Sequence, residues 1–386
     1  MKQAIVDFGL ISSIGFGKKE TKANLFSEER SGLNPYKLPN GKETYIGDIS
    51  GDLAQIPSKF SQLESRNNQL LLTVFQQIET TFNNLKKSIQ PERIAVVIGT
   101  STSGISDVEA AFEFKKESNS FPKNFHYKKH EMASPSEFLA KYIGATGPSY
   151  TVSCACSSGS KAVTSASRLL SSGLCDLVIT GGVDTLCNLT LLGFNSLEVI
   201  SEKPCLPFSQ NREGINIGEA GALFIMTNEK GKLNLLGYGE SSDAYHHSAP
   251  EPEGKGAQSC MNLALNKAKL KADEIDYINL HGTGTLQNDS MEAKAVFRTF
   301  GNSTPCSSTK SLTGHTLGAA GAIEAAFSLL ALEEQKLIPH HWDNLPDSEI
   351  PNLNFSSNQH AVLKNIMSNS YAFGGNNCSL VLGIDS

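Results

Sequence analysis

Cys156 lies in Ser153-Cys154-Ala155-Cys156-Ser157-Ser158-Gly159, between the β-rich run Ser149-Tyr150-Thr151-Val152 and a helical stretch that begins near Lys161. A thiol on a sharp turn at a helix N-terminus meets unpaired amides and the positive end of the helix dipole, both of which favour a thiolate. A free cysteine is otherwise a small buried apolar group, so position alone decides nothing. Two histidines in Gly/Thr-rich segments change its weight: His281 in His281-Gly282-Thr283-Gly284-Thr285, and His315 closing Lys310-Ser311-Leu312-Thr313-Gly314-His315. A nucleophile, two neutral imidazoles and a lysine make acyl transfer with carbon–carbon condensation the leading chemistry.

Each residue also has a plainer role. Cys154 and Cys156 could be half of a metal site, but no second ligand pair stands at zinc-like spacing. His281 follows an apolar strand, where open α/β folds place their sites; a structural turn histidine fits the same position. Asp289 followed by Glu292 three residues on has the spacing of a capping box, with Asp289 as N-cap. Glu219 and Glu324 sit among apolar and small residues, where a carboxylate needs partners. Gly374-Gly375-Asn376-Asn377 reads as a turn between strands that brings backbone amides and Phe373 into a site. The pairs His246-His247 and His340-His341 lack further ligands and read as solvated loop histidines.

Short apolar runs alternating with helical patterns hold these residues and point to an α/β protein. Strands are predicted over 3–8, 94–99, 149–153, 177–181 and 222–227. A second series follows over 233–238, 277–280, 305–308, 369–373 and 379–384. Helices are predicted over 62–87, 135–143, 161–172, 256–270, 289–300 and 318–334. In each series a strand runs into a loop with a reactive residue, Cys156 in the first and His281 in the second. That pattern predicts a duplicated architecture joined near 227–232. Residues 118–132 and 243–256 read as loops of the kind that rim a site.

With 386 residues, 39% hydrophobic and 19% charged, the chain has the composition of a globular protein with a substantial core. A formal charge of −6 argues against a nucleic-acid binder that relies on a basic face. Eight cysteines form no regular framework and are expected to be reduced thiols of a cytoplasmic protein. The N-terminus reads as a strand rather than a leader, and no apolar run reaches membrane-spanning length.

Taken in order, these motifs resemble the β-ketoacyl-[acyl carrier protein] synthases of the thiolase-like superfamily along essentially the whole chain. The resemblance rests on Cys156-Ser-Ser-Gly159, Pro207-Phe208-Ser209 with Arg212-Glu213-Gly214, Gly218-Glu219-Ala220-Gly221 and His281 to Thr285. It continues through Asn288-Asp289 with Glu292, Lys310 to His315, and Phe373 to Asn377. Ala372 and Asn376 depart from the family's usual glycine and threonine in that last turn. Short forms of this type resemble the ketosynthases of bacterial aryl-polyene clusters.

The resemblance implies a five-layered αβαβα fold in two pseudo-duplicated halves, residues 1–228 with the cysteine and 229–386 with both histidines. It implies the Cys-His-His class, with Cys156 as nucleophile and His281 and His315 as hydrogen-bond donors. Lys310 would support the His315 region and Glu324 would anchor that network, with Asp289, Glu292 and Glu219 also in supporting roles. The amides of Cys156 and Phe373 would form an oxyanion hole, the Phe373 ring a gate, and Thr283 and Thr285 the pantetheine contacts. No cofactor or metal is implied, because substrates ride on the phosphopantetheine of an acyl carrier protein. The implied partners are that carrier and a second ketosynthase-like subunit, as a homodimer or with a chain-length-factor-like homologue; no nucleic acid or membrane is involved. Arg66, Lys128 and Lys129 are candidates for carrier docking. The alternatives are a non-condensing acyltransferase or malonyl decarboxylase, and a chain-length-factor-like structural subunit.

Overall fold

Ile94–Gly99 is buried at every position, as expected of a strand covered on both faces. The computed structural model describes residues 2–229 and 231–385. The first half of the chain supplies β1 (Gln3–Ser12), β2 (Ile94–Gly99), β3 (Ser149–Val152), β4 (Leu177–Asp184) and β5 (Ala220–Thr227). The second supplies β6 (Leu233–Ser242), β7 (Tyr277–Asn279), β8 (Pro305–Ser307), β9 (Asn354–Phe355), β10 (Asn365–Ala372) and β11 (Asn376–Ile384).

These strands form one sheet in the order β9-β8-β7-β10-β11-β6-β1-β5-β4-β2-β3, with Gly15–Phe16 added to β1. From β1 outward the pairings run antiparallel, antiparallel, parallel, parallel. From β6 outward they run the same way. The two series meet where Gln3, Ala4 and Ile5 pair with Leu235, Asn234 and Leu233. In this correspondence His281, after β7, matches the loop after β2, whereas Cys156, after β3, matches the segment after β8 that leads to His315. The counterpart of Cys156 is therefore the His315 segment and not His281.

Helices complete the layers. The helices α1 (Arg66–Gln76) and α2 (Ser134–Ile143) cover the outer face of the first series. Between the two series lie α3 (Ser158–Ser171) and α6 (Ala320–Glu334), in contact with each other and with strands of both. On the far face, α4 (Lys255–Ala268) packs on β6 and β11 and against α5 (Leu286–Phe300). This is the five-layered αβαβα arrangement.

Helix α6 is buried on all sides from Ala320 to Leu332, which fits its place as the central layer. Its small residues let α3 approach closely: a Cβ on Gly159 would lie 2.8 Å from the Ala322 amide nitrogen.

The single helix predicted over 62–87 is instead a 3₁₀ turn (Ser58–Leu63), α1 and a short helix (Glu79–Leu85). Ser65 caps α1 by accepting from the Asn68 amide, and Gln77 turns its side chain onto the Leu10 backbone of β1. Helices Gly17–Leu25, Ile105–Ser118 and Asn188–Ser196, and a small sheet of Asn34–Lys37, Glu43–Gly47 and Ile217–Gly218, were not anticipated. Among the described residues no helix is long and apolar enough to cross a membrane.

Candidate active site

The turn after β3 is tight because its serines lace it. Ser157 Oγ donates to the Cys154 carbonyl, and Ser158 Oγ donates to the Ala155 carbonyl while accepting from the Cys154 amide. Ala155 is forced to φ +48°, a conformation that costs an L-residue about 1–2 kcal/mol. Cys156 thus stands between strand and helix, as its neighbours predicted. Its ionisation differs from expectation: burial pushes the thiol up to about 11, and the Lys310 charge and the amides of Phe373 and Cys156 offset this only in part. Burial outweighs that cation and those amides, so the resting group is a thiol.

The distant histidines converge on this sulfur. His315 Nε2 lies 3.0 Å from Cys156 Sγ, and one donor atom from each of Cys156, His281 and His315 lies within 4.8 Å of the others. Burial, reinforced by the Lys310 charge, lowers both histidines well below their ordinary value of 6.5, so both rings are neutral. Lys310 Nζ bonds Glu324 Oε1 at 2.5 Å and the His281 carbonyl at 2.5 Å, and lies 3.3 Å from His281 Nδ1. A lysine ammonium has no lone pair, so this contact leaves the His281 ring proton on Nε2. Lys310 therefore bonds His281, and it reaches His315, the expected partner, only through its field. The three groups line a cavity of about 430 Å³ together with Phe194, Leu197, Val199, Ile215, Thr283 and Thr285. A nucleophile, a proton acceptor and a second donor around one cavity can form and resolve a thioester.

The β-ketoacyl synthase N-terminal domain matches residues 23–231, and the β-ketoacyl synthase C-terminal domain matches residues 234–342. The chain belongs to the β-ketoacyl synthase family. Over 261 residues it is 36% identical to 3-oxoacyl-[acyl-carrier-protein] synthase 2 of Staphylococcus aureus. That match covers 62% of this chain and 64% of the relative, a little under two thirds of its length. Among solved structures it is similar to the ketosynthase ApeO in complex with its chain length factor ApeC from Xenorhabdus doucetiae, at 42% identity and a TM-score of 0.96. The alignment covers 100% of this chain and 98% of that one. The ishigamide ketosynthase/chain length factor follows at 25% identity and a TM-score of 0.89, covering 100% and 99% of the two chains.

The remaining motifs act on the loops. Thr285, rather than Asp289, caps α5 by accepting from the Asn288 amide. Asp289 is freed to bind the amides of Thr283, Gly284 and Phe208. Glu292 accepts from the His281 and Gly282 amides at 2.8 and 2.7 Å, and burial pushes its carboxyl up to about 8 despite those donors. The capping-box spacing is real, but its two carboxylates hold the histidine loop. Burial likewise raises Glu324 to about 7, with Lys310 opposing. Thr283 and Thr285 share a hydrogen bond of 3.0 Å at the cavity wall. The Phe373 ring is partly exposed and stands 5.8 Å from Phe194. The departure at Asn376 has its own partner, since Lys161 Nζ donates to Asn376 Oδ1 at 2.8 Å.

Several expectations need correction. Arg66 is engaged by buried Glu219, donating through Nε at 3.1 Å and Nη2 at 2.5 Å, while Glu219 also takes the Ile49 amide. Lys129 is buried. Arg66 nevertheless keeps its side chain 38% exposed, and Lys128 is partly exposed, 3.7 Å from Glu137. His340 and His341 are buried rather than solvated. His340 accepts the Ser308 amide at Nδ1, bonds the Pro207 carbonyl through Nε2 and stacks on Phe355. Burial lowers it to about 3. His246 and His247 are exposed, as expected.

Asn216 and Asp184 escaped the sequence reading, and Arg212 entered it only within a motif. Asn216 accepts the His315 amide at its carbonyl. Arg212 is buried and bound to Asp347 and the Ser209 carbonyl. Asp184 gathers donors from two loops. Of the three, only Arg212 gave a signal, as part of the Pro207 to Gly214 motif.

Proposed function

We propose that this protein is a 3-oxoacyl-[acyl carrier protein] synthase that joins an acyl group held on Cys156 to malonyl-carrier protein. The observation that carries the reading is the 3.0 Å contact of Cys156 Sγ with His315 Nε2, with His281 beside it at one cavity. In the first half-reaction Sγ attacks the carbonyl carbon of an acyl thioester and its proton passes to His315 Nε2. The amides of Cys156 and Phe373, which already face the sulfur, receive the oxyanion. The carrier thiolate leaves and takes up the proton.

In the second half-reaction the bond from the malonyl methylene to its carboxylate breaks. Carbon dioxide departs and the electron pair enters an enolate. His281, with Nδ1 against Lys310, donates from Nε2 to the enolate oxygen. After acylation nothing donates to His315 Nε2, and its Nδ1 has no partner among the described residues; protonated at Nε2, that ring gives a second hydrogen bond. The carbanion attacks the Cys156 thioester, the 3-oxoacyl chain moves to the carrier, and the released thiolate takes a proton from water. Pantetheine carries both substrates past Thr283 and Thr285, so no protein-bound cofactor or metal is needed.

The likeness to ApeO over nearly both whole chains supports an aryl-polyene-type ketosynthase that works with a chain-length-factor-like homologue. The name of the Staphylococcus aureus relative supports an acyl carrier protein as substrate donor. Lys128 remains a docking candidate. Mass spectrometry after incubation with a panel of acyl- and malonyl-carrier proteins tests the reading. The expected result is an acyl adduct on the Cys156 peptide and a 3-oxoacyl-carrier product. Acetyl-carrier protein alone would make the protein a decarboxylase, and an unmodified Cys156 would reject nucleophilic catalysis.

A further inference from the structure

Asp184, the last residue of β4, is fully buried, and no cation pairs with it among the described residues. Donors surround it instead. Oδ1 accepts from Thr100 Oγ1 at 2.5 Å, the Ser101 amide at 2.8 Å, and the Thr102 amide and hydroxyl at 2.9 Å each. Oδ2 accepts from the Gly318 amide at 2.6 Å. Only a carboxylate can accept from all five; an asparagine would turn its own two protons towards donors.

The two segments it gathers lead to the two ends of the reactive contact. Ser101, held by its amide, donates its hydroxyl to the Ala155 carbonyl at 3.3 Å, and Ala155 at φ +48° immediately precedes Cys156. On the other side, Gly318 follows Leu317 at φ +51° and lies three residues beyond His315. A Cβ on Gly318 would come within 2.7 Å of both Asp184 Oδ2 and Ser101 Oγ, so this junction has no slack. Ala155 and Leu317, two of the nine non-glycine residues at positive φ among the described residues, lie next to segments that one carboxylate fixes.

We propose that Asp184 is a positioning residue that sets the Cys156–His315 distance by holding the Ala155 and Leu317 turns against each other. It touches no reacting atom. The inference deepens the ketosynthase reading, but alkylation of Cys156 by iodoacetamide tests it without any condensing activity. Iodoacetamide loses iodide to the attacking sulfur, and His315 takes the thiol proton. With the contact intact this proceeds below the thiol's own ionisation; with the contact opened, reaction must wait for direct ionisation.

Asp184→Asn is therefore expected to move the pH midpoint of Cys156 alkylation, read by peptide mass spectrometry, upward by at least about one unit. It should slow acyl loading about tenfold or more with little change in KM. Asp184→Glu, which keeps the charge, should recover part of the lost rate. An unshifted alkylation profile in folded Asp184→Asn would overturn the proposal. Should that variant not fold, Ser101→Ala removes only the link to Ala155 and should shift the midpoint in the same direction by less. A wild-type profile there would reject the proposal as well. Failure of the condensation assay with these shifts present would count against the ketosynthase reading alone.

Discussion

At Cys156 two effects oppose each other. The Lys310 field and the amides of Phe373 and Cys156 favour the thiolate, while burial favours the thiol, and burial prevails. The sulfur thus depends on the imidazole 3.0 Å away, whereas His281 is arranged by Lys310 to donate. The two histidines should therefore separate kinetically. His281→Ala should still load acyl groups on Cys156 at close to the wild-type rate but lose about 10²–10³ in decarboxylation and condensation. His315→Ala should slow the loading step itself, which single-turnover mass spectrometry resolves; rapid loading in His315→Ala beside slow loading in His281→Ala would reverse the assignment. Cys156 and His281 were legible because each follows a strand and borders Gly or Ser, and His315 because Thr313-Gly314 precedes it and a small-residue helix start follows. Asp184 was not: its meaning lies in donors at 100–102 and 318, and a lone acid closing an apolar strand looks like a strand end.

Among the elements, the sequence spoke most clearly where burial is two-sided. The predicted strand over 94–99 is β2 itself, and 277–280 overruns β7 by one residue, both strands being buried throughout. It spoke least clearly where a polar side chain redirects the backbone, as Ser65 and Gln77 do in breaking the predicted 62–87 helix. His340 is of the same kind: nothing in Ile338-Pro339-His340-His341-Trp342 marks a histidine that pins the start of the Lys310 segment through the Ser308 amide. Its protonation should cost stability in a defined window. The unfolded chain takes up a proton as pH falls through about 6.5, whereas the folded ring, lowered to about 3, does not. The unfolded state therefore gains by about 1.4 kcal/mol for each pH unit below 6.5. Relative to His340→Asn, the native protein should thus lose about 2 kcal/mol of its advantage between pH 7 and pH 5, measured by urea unfolding at each pH. A difference that stays constant over that range would mean the ring is already protonated or exposed.

At the scale of the whole molecule, the repeated strand order invites division into two independent units, but the packing does not divide that way. One hydrophobic cluster joins Ile5, Val97, Val163 and Phe224 from the first series with Leu235, Tyr277, Phe327 and Leu380 from the second. Helices α3 and α6 form a layer shared by both, close enough that Gly159 has no room for a methyl group. The active site spans the same seam, with Cys156 on one side and His281 and His315 on the other. Unfolding either series would expose the apolar faces of α3 and α6 to water at about 25 cal/mol for each Å², so partial unfolding gains little chain entropy for a large loss of burial. The molecule is expected to unfold in a single step. Its one tryptophan, Trp342, reports on the second series by fluorescence, and hydrogen exchange at the β2 and β4 amides reports on the first. Both probes should give the same urea midpoint and slope. Separated transitions would mean that the central layer belongs to one half, and that the catalytic contact can open without global unfolding.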